Sequence, residues 1–190
     1  MTARWVVEEV APARDLTVTW QPISLFVKNE PAEGTKGHEP LLQTHRYLRV
    51  MESVRSSEGE QAVFDLYWEL GRRIHHDRSV VFDVADALTA AGLSTEHAVA
   101  FDEESWDGEI RSRMGAGLAL VGDDVGTPII AFDGGDGSRT AIFGPVITRV
   151  PRGDDALALW DSVRTLTALP GFWELKRTRT EGPEVGERPD

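Results

Sequence analysis

The chemistry open to this sequence is narrow, because its 190 residues include no cysteine. Thiolates are the nucleophiles of disulfide exchange and common zinc ligands, so these residues can supply neither function. Among the five histidines, His75 and His76 are adjacent. On a helix their side chains would point about 100° apart and could not chelate one metal ion together. We therefore expect no metal site and assign no catalytic nucleophile; a histidine at a helix end interacting with the helix dipole accounts better for this pair.

The charge balance excludes two classes of partner. Acidic side chains number 32 against 20 basic ones, which gives a formal net charge of −12 at pH 7. Nucleic acids and anionic membrane surfaces repel such a chain, so we expect neither as a partner. The N-terminus has no long apolar leader, and no stretch approaches the roughly 20 apolar residues of a membrane span. We expect a freely diffusing cytoplasmic protein.

Hydrophobic periodicity places a helical block between two sheet-forming parts, so the fold class is α/β. Leu16, Val18 and Trp20 alternate with threonines, a pattern typical of a half-buried strand. The glycine-rich stretch 133–138 lies between two short apolar runs and predicts a hairpin turn. The predicted order is a helix tail in 1–10, a strand in 16–20 continuing in extended form over 23–27, helices over 41–121, strands in 127–132 and 140–143, a helix over 154–169 and a polar tail from 178.

Local motifs add a resemblance to this order. The segment Val125-Gly126-Thr127-Pro128 precedes an apolar strand and resembles the cis-proline loop of DsbA-like proteins of the thioredoxin superfamily. The segments 143–153 and 172–180, which read FGPVITRVPRG and FWELKRTRT, resemble the mycothiol-dependent nitroreductase subgroup of that family more specifically. The resemblance extends from Thr2 to about Thr180, which is nearly the whole chain.

The resemblance implies a thioredoxin-like fold with an inserted all-helical domain. Its domain limits would be 1–36 and 125–177 for the thioredoxin-like part, 38–122 for the helical insertion and 178–190 for a flexible tail. It implies no bound cofactor and a low-molecular-weight thiol, mycothiol or a similar one, as co-substrate. The partner would be a small-molecule thiol or disulfide, and the resemblance leaves a homodimer open.

The chain departs from the subgroup at its beginning. In the subgroup a first strand leads into a Cys-Pro-Trp motif at a helix start, followed by a segment like Thr2-Ala3-Arg4-Trp5. Here that strand and motif are absent, and we expect a start placed too late, a shortened chain or a degenerate gene. A helix N-terminus lowers the pKa of a cysteine, so the missing residue is the one that would react.

The resemblance also points to ligand-binding residues, each with an alternative. Pro128 would lie in a loop whose preceding residue, Thr127, pairs with an extended thiol through the main chain; otherwise it is an ordinary trans proline opening a strand. Asn29 either faces the pocket or ends a strand in a turn. Trp5 either lines the pocket or packs in the core, and we favour the core. The full set of candidates is Gly126, Thr127, Pro128, Asn29, Trp5 and His75.

Three functions follow from these observations. The first is a DsbA-family thiol–disulfide oxidoreductase, or mycothiol-dependent nitroreductase, that lacks its catalytic cysteine as written. The second is an isomerase acting on 2-hydroxychromene-2-carboxylate, or a kappa-class transferase, in which serine replaces the cysteine. The third is a thiol-binding module without redox chemistry. Whether this chain is itself active is left open by the sequence.

Overall fold

The computed structural model describes residues 1–188, and its contacts divide these residues into two compact units. The first unit comprises 1–18 and 116–186, and the second comprises 19–115 and 187–188. Each unit is built around its own buried apolar cluster. The domain limits implied by the resemblance stay a prediction.

Secondary structure is mostly helical, with one two-stranded sheet in the described part of the chain. No helix within residues 1–188 is long and apolar enough to cross a membrane. The elements are α1 (Thr2–Trp5), a π-helical turn (Val6–Val10), α2 (Ala11–Arg14), α3 (Leu25–Asn29), α4 (His38–Glu58), α5 (Glu60–His75), α6 (Val84–Ala90), 3-10 segments Thr95–Asp102 and Glu104–Trp106, α7 (Asp107–Val121), β1 (Ile129–Asp133), β2 (Arg139–Phe143) and α8 (Gly153–Thr167).

The first unit packs its N-terminal helical residues and α8 around the hairpin. Strands β1 and β2 are antiparallel, with Ile129 opposite Phe143 and Ala131 opposite Ala141. Trp5 and Trp160 are buried in the core of this unit and meet edge to face at 5.8 Å between ring centroids. The predicted hairpin and last helix are thereby confirmed.

The second unit is helical. Its longest helix, α4, lies within the helical region predicted over 41–121, and it buries an apolar stripe that includes Tyr47, Met51 and Val54, as helical periodicity predicts. Helix α5 packs its Val63 and Leu66 against the same core. Helix α7 begins in this unit and ends in the first.

The strand predicted over residues 16–20 is wrong. Leu16, Val18 and Trp20 are half-buried and alternate with exposed threonines, so the period-two burial is present. A strand also needs a hydrogen-bonded neighbour, and within residues 1–188 the only ladder joins β1 to β2. The segment is therefore extended but unpaired.

The extended continuation predicted over residues 23–27 is also wrong, because a helix begins there. The Ser24 hydroxyl accepts a hydrogen bond from the Val27 amide at 3.1 Å. This satisfies one of the amides that a helix start leaves without a partner. The cap explains why a short apolar segment forms α3 instead of a strand.

The polar end of the chain has contacts in the first unit. The Glu184 amide donates to the Thr148 carbonyl at 2.8 Å, and Arg149 forms ion pairs with Glu181 and Glu184. The Arg4 guanidinium donates to the Val185 carbonyl at 2.8 Å. The predicted flexible tail over 178–190 stays a prediction, and its residues 189 and 190 lie outside the described part of the chain.

Candidate functional site

The loop before β1 exposes main-chain groups without partners. Thr127 is exposed, and neither its amide nor its carbonyl is hydrogen-bonded within residues 1–188. The Thr127–Pro128 peptide bond is cis. The Pro128 carbonyl accepts a hydrogen bond from the Gly144 amide at 2.8 Å, which fixes the loop to the end of the hairpin.

The surroundings of this loop combine an apolar wall with the free main chain. A Cβ atom at Gly126 would lie 3.6 Å from the Phe143 ring, an ordinary contact distance. Phe143 itself is 36% exposed, so a ligand beside the loop could reach it. Free amide and carbonyl groups beside a strand are what an extended ligand uses to bind by adding to that strand.

Thr2 does not provide a nucleophile for this loop. Its side chain is buried, and its hydroxyl donates a hydrogen bond to the Pro145 carbonyl at 2.8 Å. No base lies within hydrogen-bonding distance of that hydroxyl in the described structure. The residue therefore holds the N-terminal helix to the loop that follows β2.

Trp5 belongs to the core of the first unit. It is 0% exposed, and its indole N–H donates to the Ala156 carbonyl in α8 at 3.0 Å. A ring without exposed surface can influence a ligand only through what it packs against. Its role as a pocket residue stays a prediction.

Asn29 and His75 lie in the second unit, apart in sequence and element from the loop residues. Asn29 is the last residue of α3 and is exposed, and Glu30 after it has a left-handed backbone with φ of 43°. His75 ends α5 and is exposed as well. The structure thus brings Gly126, Thr127 and Pro128 together, and the ligand roles of Asn29 and His75 stay predictions.

The second unit contains a buried polar network that the sequence analysis missed. His45 lies 2.9 Å by its Nδ1 atom from the Ser24 hydroxyl and 3.0 Å by its Nε2 atom from the Asp107 carboxylate. Arg49 donates to both oxygens of that carboxylate, at 2.6 and 3.0 Å. Ser24 and His45 are 1% and 2% exposed. Sequence separations of 21 and 62 residues gave no local signal for this arrangement.

This serine–histidine–aspartate chain is not a hydrolytic site. The Ser24 hydroxyl already accepts the Val27 amide as the cap of α3, and it has almost no access to solvent. A catalytic serine must reach its substrate and stand beside donors that stabilise an oxyanion. The network instead ties α3, α4 and α7 together within the second unit.

Electrostatics set the protonation states in this network. Burial lowers the pKa of His45, and the neighbouring Asp107 carboxylate offsets only part of that effect. Burial alone would raise the pKa of Asp107, but the hydrogen bonds from Arg49 and the nearby His45 lower it overall. The histidine is therefore neutral near pH 7, and the carboxylate is ionised.

No group of three or more acidic or histidine side chains within residues 1–188 is placed to hold a metal ion.

The fold and the loop define a class: an α/β protein, mostly helical, that exposes an unpaired main-chain edge beside a proline at the start of a hairpin. The sequence model of the Rv2466c-like family, described as mycothiol-dependent nitroreductase Rv2466c, matches residues 1–177. The chain therefore belongs to this family. The match confirms the resemblance to mycothiol-dependent nitroreductases and includes every candidate ligand residue.

Proposed function

We propose that this chain acts in mycothiol-dependent reduction by binding the thiol, or a mixed disulfide of it, in extended form along Thr127. Membership of the family supports the identity of the thiol. The observation that carries the binding site is the exposed Thr127 with both main-chain groups unpaired within residues 1–188. A placement in the DsbA-like branch of the thioredoxin superfamily is part of this proposal.

Two features support that placement. The proline loop leads directly into a hairpin strand, and α8 follows the hairpin and packs against it in the first unit. This order is the one that the resemblance implies for the second half of a thioredoxin-like fold. The hairpin also orients the loop, because the Gly144 amide holds the Pro128 carbonyl.

The residues present bind and position the thiol, and they do not react with it. None of the 190 residues is a cysteine, so a disulfide exchange at Thr127 would use the thiolate of mycothiol itself. That thiolate attacks one sulfur of a disulfide, the old S–S bond breaks, and the other sulfur leaves as a thiolate that takes up a proton. The electrons come from the small thiol and not from the chain.

The alternative functions require different residues at the loop before β1. A serine-dependent transferase or isomerase needs a serine that polarises the thiol at the loop. The Thr2 hydroxyl does not supply this group, because it already donates its hydrogen bond to the Pro145 carbonyl. The thiol-binding module without redox chemistry needs only the loop, and the absence of cysteine from the sequence favours it as the second candidate.

The test is calorimetric titration of the 190-residue chain with mycothiol and with its disulfide. We expect saturable binding that Thr127→Ser retains and Thr127→Pro weakens about tenfold or more, because proline removes the amide donor. Thermal unfolding of both variants checks that the chain still folds. Absence of binding to the wild-type chain at millimolar thiol would overturn the proposal.

An activity measurement separates the two leading functions. A nitro compound or a disulfide is incubated with mycothiol, with and without the chain. A rate above that of the thiol alone supports assisted reduction by bound mycothiol. Binding without any rate increase identifies the chain as the thiol-binding module.

A further inference from the structure

A second group of serine, histidine and carboxylate lies in the second unit, and unlike the network around Ser24 it reaches the surface. Ser53 and Glu58 are on α4, and His97 is in the 3-10 segment that packs against this helix. The His97 ring has its Nδ1 atom 2.9 Å from the Ser53 hydroxyl and its Nε2 atom 2.9 Å from the Glu58 carboxylate. We name Ser53, His97 and Glu58 the surface triad.

The hydrogen bonds of His97 determine which of its nitrogens can take up a proton. The Glu58 carboxylate accepts from Nε2, so the neutral ring carries its proton there and leaves Nδ1 as an acceptor. The Ser57 hydroxyl lies 3.4 Å from the same Nε2 atom, and it donates its own proton to the Ser53 carbonyl. Both neighbours of Nε2 therefore accept, and Nδ1 faces the Ser53 hydroxyl as a base.

The Ser53 hydroxyl is used differently from those of the other serines on α4. Serines within helices commonly donate to a main-chain carbonyl one turn earlier, and Ser56 and Ser57 do so. The Ser53 hydroxyl has one hydrogen-bond partner within residues 1–188, which is His97. A hydroxyl beside a base, with that base held by a third group, is the arrangement of an activated nucleophile.

Solvent has access to the surface triad. Ser53 is half-buried, Glu58 is exposed, and the His97 side chain is 12% exposed. Ser24 and His45, in the network described above, are only 1% and 2% exposed. A small substrate can therefore approach Ser53, although it cannot approach Ser24.

We propose that Ser53 is a nucleophile that takes up acyl groups from esters with a weakly basic leaving group, such as aryl esters and thioesters. The Ser53 oxygen forms a bond to the ester carbonyl carbon, and its proton passes to Nδ1 of His97. The bond to the leaving aryloxide or thiolate breaks, and His97 gives the proton to that group. Water then attacks the acyl-serine in the same way and releases a carboxylic acid. This reaction uses no residue of the loop at Thr127.

The position of Ser53 limits the reaction to such reactive esters. Ser53 lies inside α4, where its amide is used in the helical hydrogen bond to the carbonyl four residues earlier. In serine proteases the amide of the nucleophile is one of the donors that stabilise the oxyanion. Loss of one such donor costs about 10²–10³-fold in rate, and a good leaving group compensates for it where a peptide does not.

The experiment is acylation of the 190-residue chain by 4-nitrophenyl acetate at mildly alkaline pH, without any thiol, followed by the release of 4-nitrophenolate. We expect release faster than in buffer alone, and an acetyl group that peptide mapping of acid-quenched samples places on Ser53. Ser53→Ala should abolish this acylation. His97→Gln should slow it about 10²-fold or more, because general base catalysis contributes about 10²–10⁴-fold.

Matched variants separate a nucleophile from a serine that only ties α4 to its neighbour. Ser56→Ala removes another hydroxyl of the same helix and should leave the rate unchanged, and thermal unfolding checks that every variant folds. Glu58 acts through the imidazole and is a positioning residue. Glu58→Gln should slow acylation about tenfold or more and change the proportion of the two His97 tautomers, which ¹⁵N spectra of the imidazole report.

Three outcomes overturn the proposal. The first is a rate no greater than that of the ester in buffer. The second is a folded Ser53→Ala chain that reacts as fast as the wild-type chain, which would make His97 or another group the nucleophile. The third is an acetyl group that maps to lysines or to the chain terminus and not to Ser53. None of these outcomes decides whether mycothiol binds along Thr127, because that binding is measured without an ester.

Discussion

The most informative single substitution in this protein is His45→Ala, because the imidazole bridges Ser24 and Asp107 in a buried position. Each hydrogen bond contributes about 0.5–1.5 kcal/mol net, and one to a charged group about 1.5–3 kcal/mol. The ring also stacks on Phe26, with centroids 5.7 Å apart. Truncation therefore removes both hydrogen bonds and leaves a void, and we expect a loss of about 3 kcal/mol in the free energy of unfolding.

Urea unfolding at pH 7.5 measures this loss. The control is His75→Ala, which removes an exposed imidazole and should change the free energy of unfolding by about 0.5 kcal/mol or less. For a urea m-value of about 1–3 kcal/mol/M, the midpoint of His45→Ala should fall by about 1–3 M. A His45→Ala variant as mild as His75→Ala would refute the reasoning.

A comparison of the wild-type protein with His45→Ala at several pH values also tests the protonation state of His45. Its pKa is lowered in the folded protein, because burial disfavours the imidazolium. Below its ordinary pKa of about 6.5 the unfolded state therefore binds more protons, and this group's contribution to stability falls as the pH falls. The difference between the wild-type protein and His45→Ala should be largest above pH 7 and shrink toward pH 5. A difference that grows on acidification would mean that the histidine is charged in the fold.

The remaining predictions concern the core, a buried carboxylate and a surface ion pair. Trp5→Phe removes a buried hydrogen bond donated by the indole N–H and should lower the free energy of unfolding, measured in urea, by about 1–3 kcal/mol. Trp106→Phe removes an exposed indole hydrogen bond and should lower that free energy clearly less. Burial raises the pKa of Glu52, so the stability that this group contributes is fully present below about pH 4.5 and is lost as the pH rises through the pKa of the folded state. Glu52→Gln should abolish this pH-dependent loss of stability, which unfolding curves measured from pH 4 to pH 8 would reveal. Arg152→Ala breaks exposed pairs with Glu8 and Glu9 and should change stability by about 1 kcal/mol or less.

Periodicity predicted the elements whose partners are local in sequence. The apolar stripe of α4 and the glycine-rich turn between β1 and β2 each carry their own signal, so the helix and hairpin are both present. The segment 16–20 shows the limit of this reasoning. Its alternation of burial is correct, but a pattern on one segment does not say whether another strand lies beside it.

Side-chain capping and long-range hydrogen bonds account for what the sequence could not reveal. The cap that Ser24 provides turns an apolar segment into α3, and the same hydroxyl meets His45 across 21 residues. Among the candidate ligand residues, Gly126, Thr127 and Pro128 are consecutive in the sequence, so their proximity follows from the sequence alone and does not depend on the fold. The positions of Asn29 and His75 depend on packing, which a single sequence does not encode locally.

The binding of mycothiol along Thr127 is the central claim, and amide chemical shifts test it most directly. The ¹⁵N-labelled chain would be titrated with mycothiol, with the assigned amides of both units observed together. The account predicts saturable shifts centred on Thr127 and its neighbours Gly126 and Ile129, with the amides of the buried core residues unmoved. No shift at Thr127 at saturating thiol, or shifts centred on another part of the chain, would contradict it.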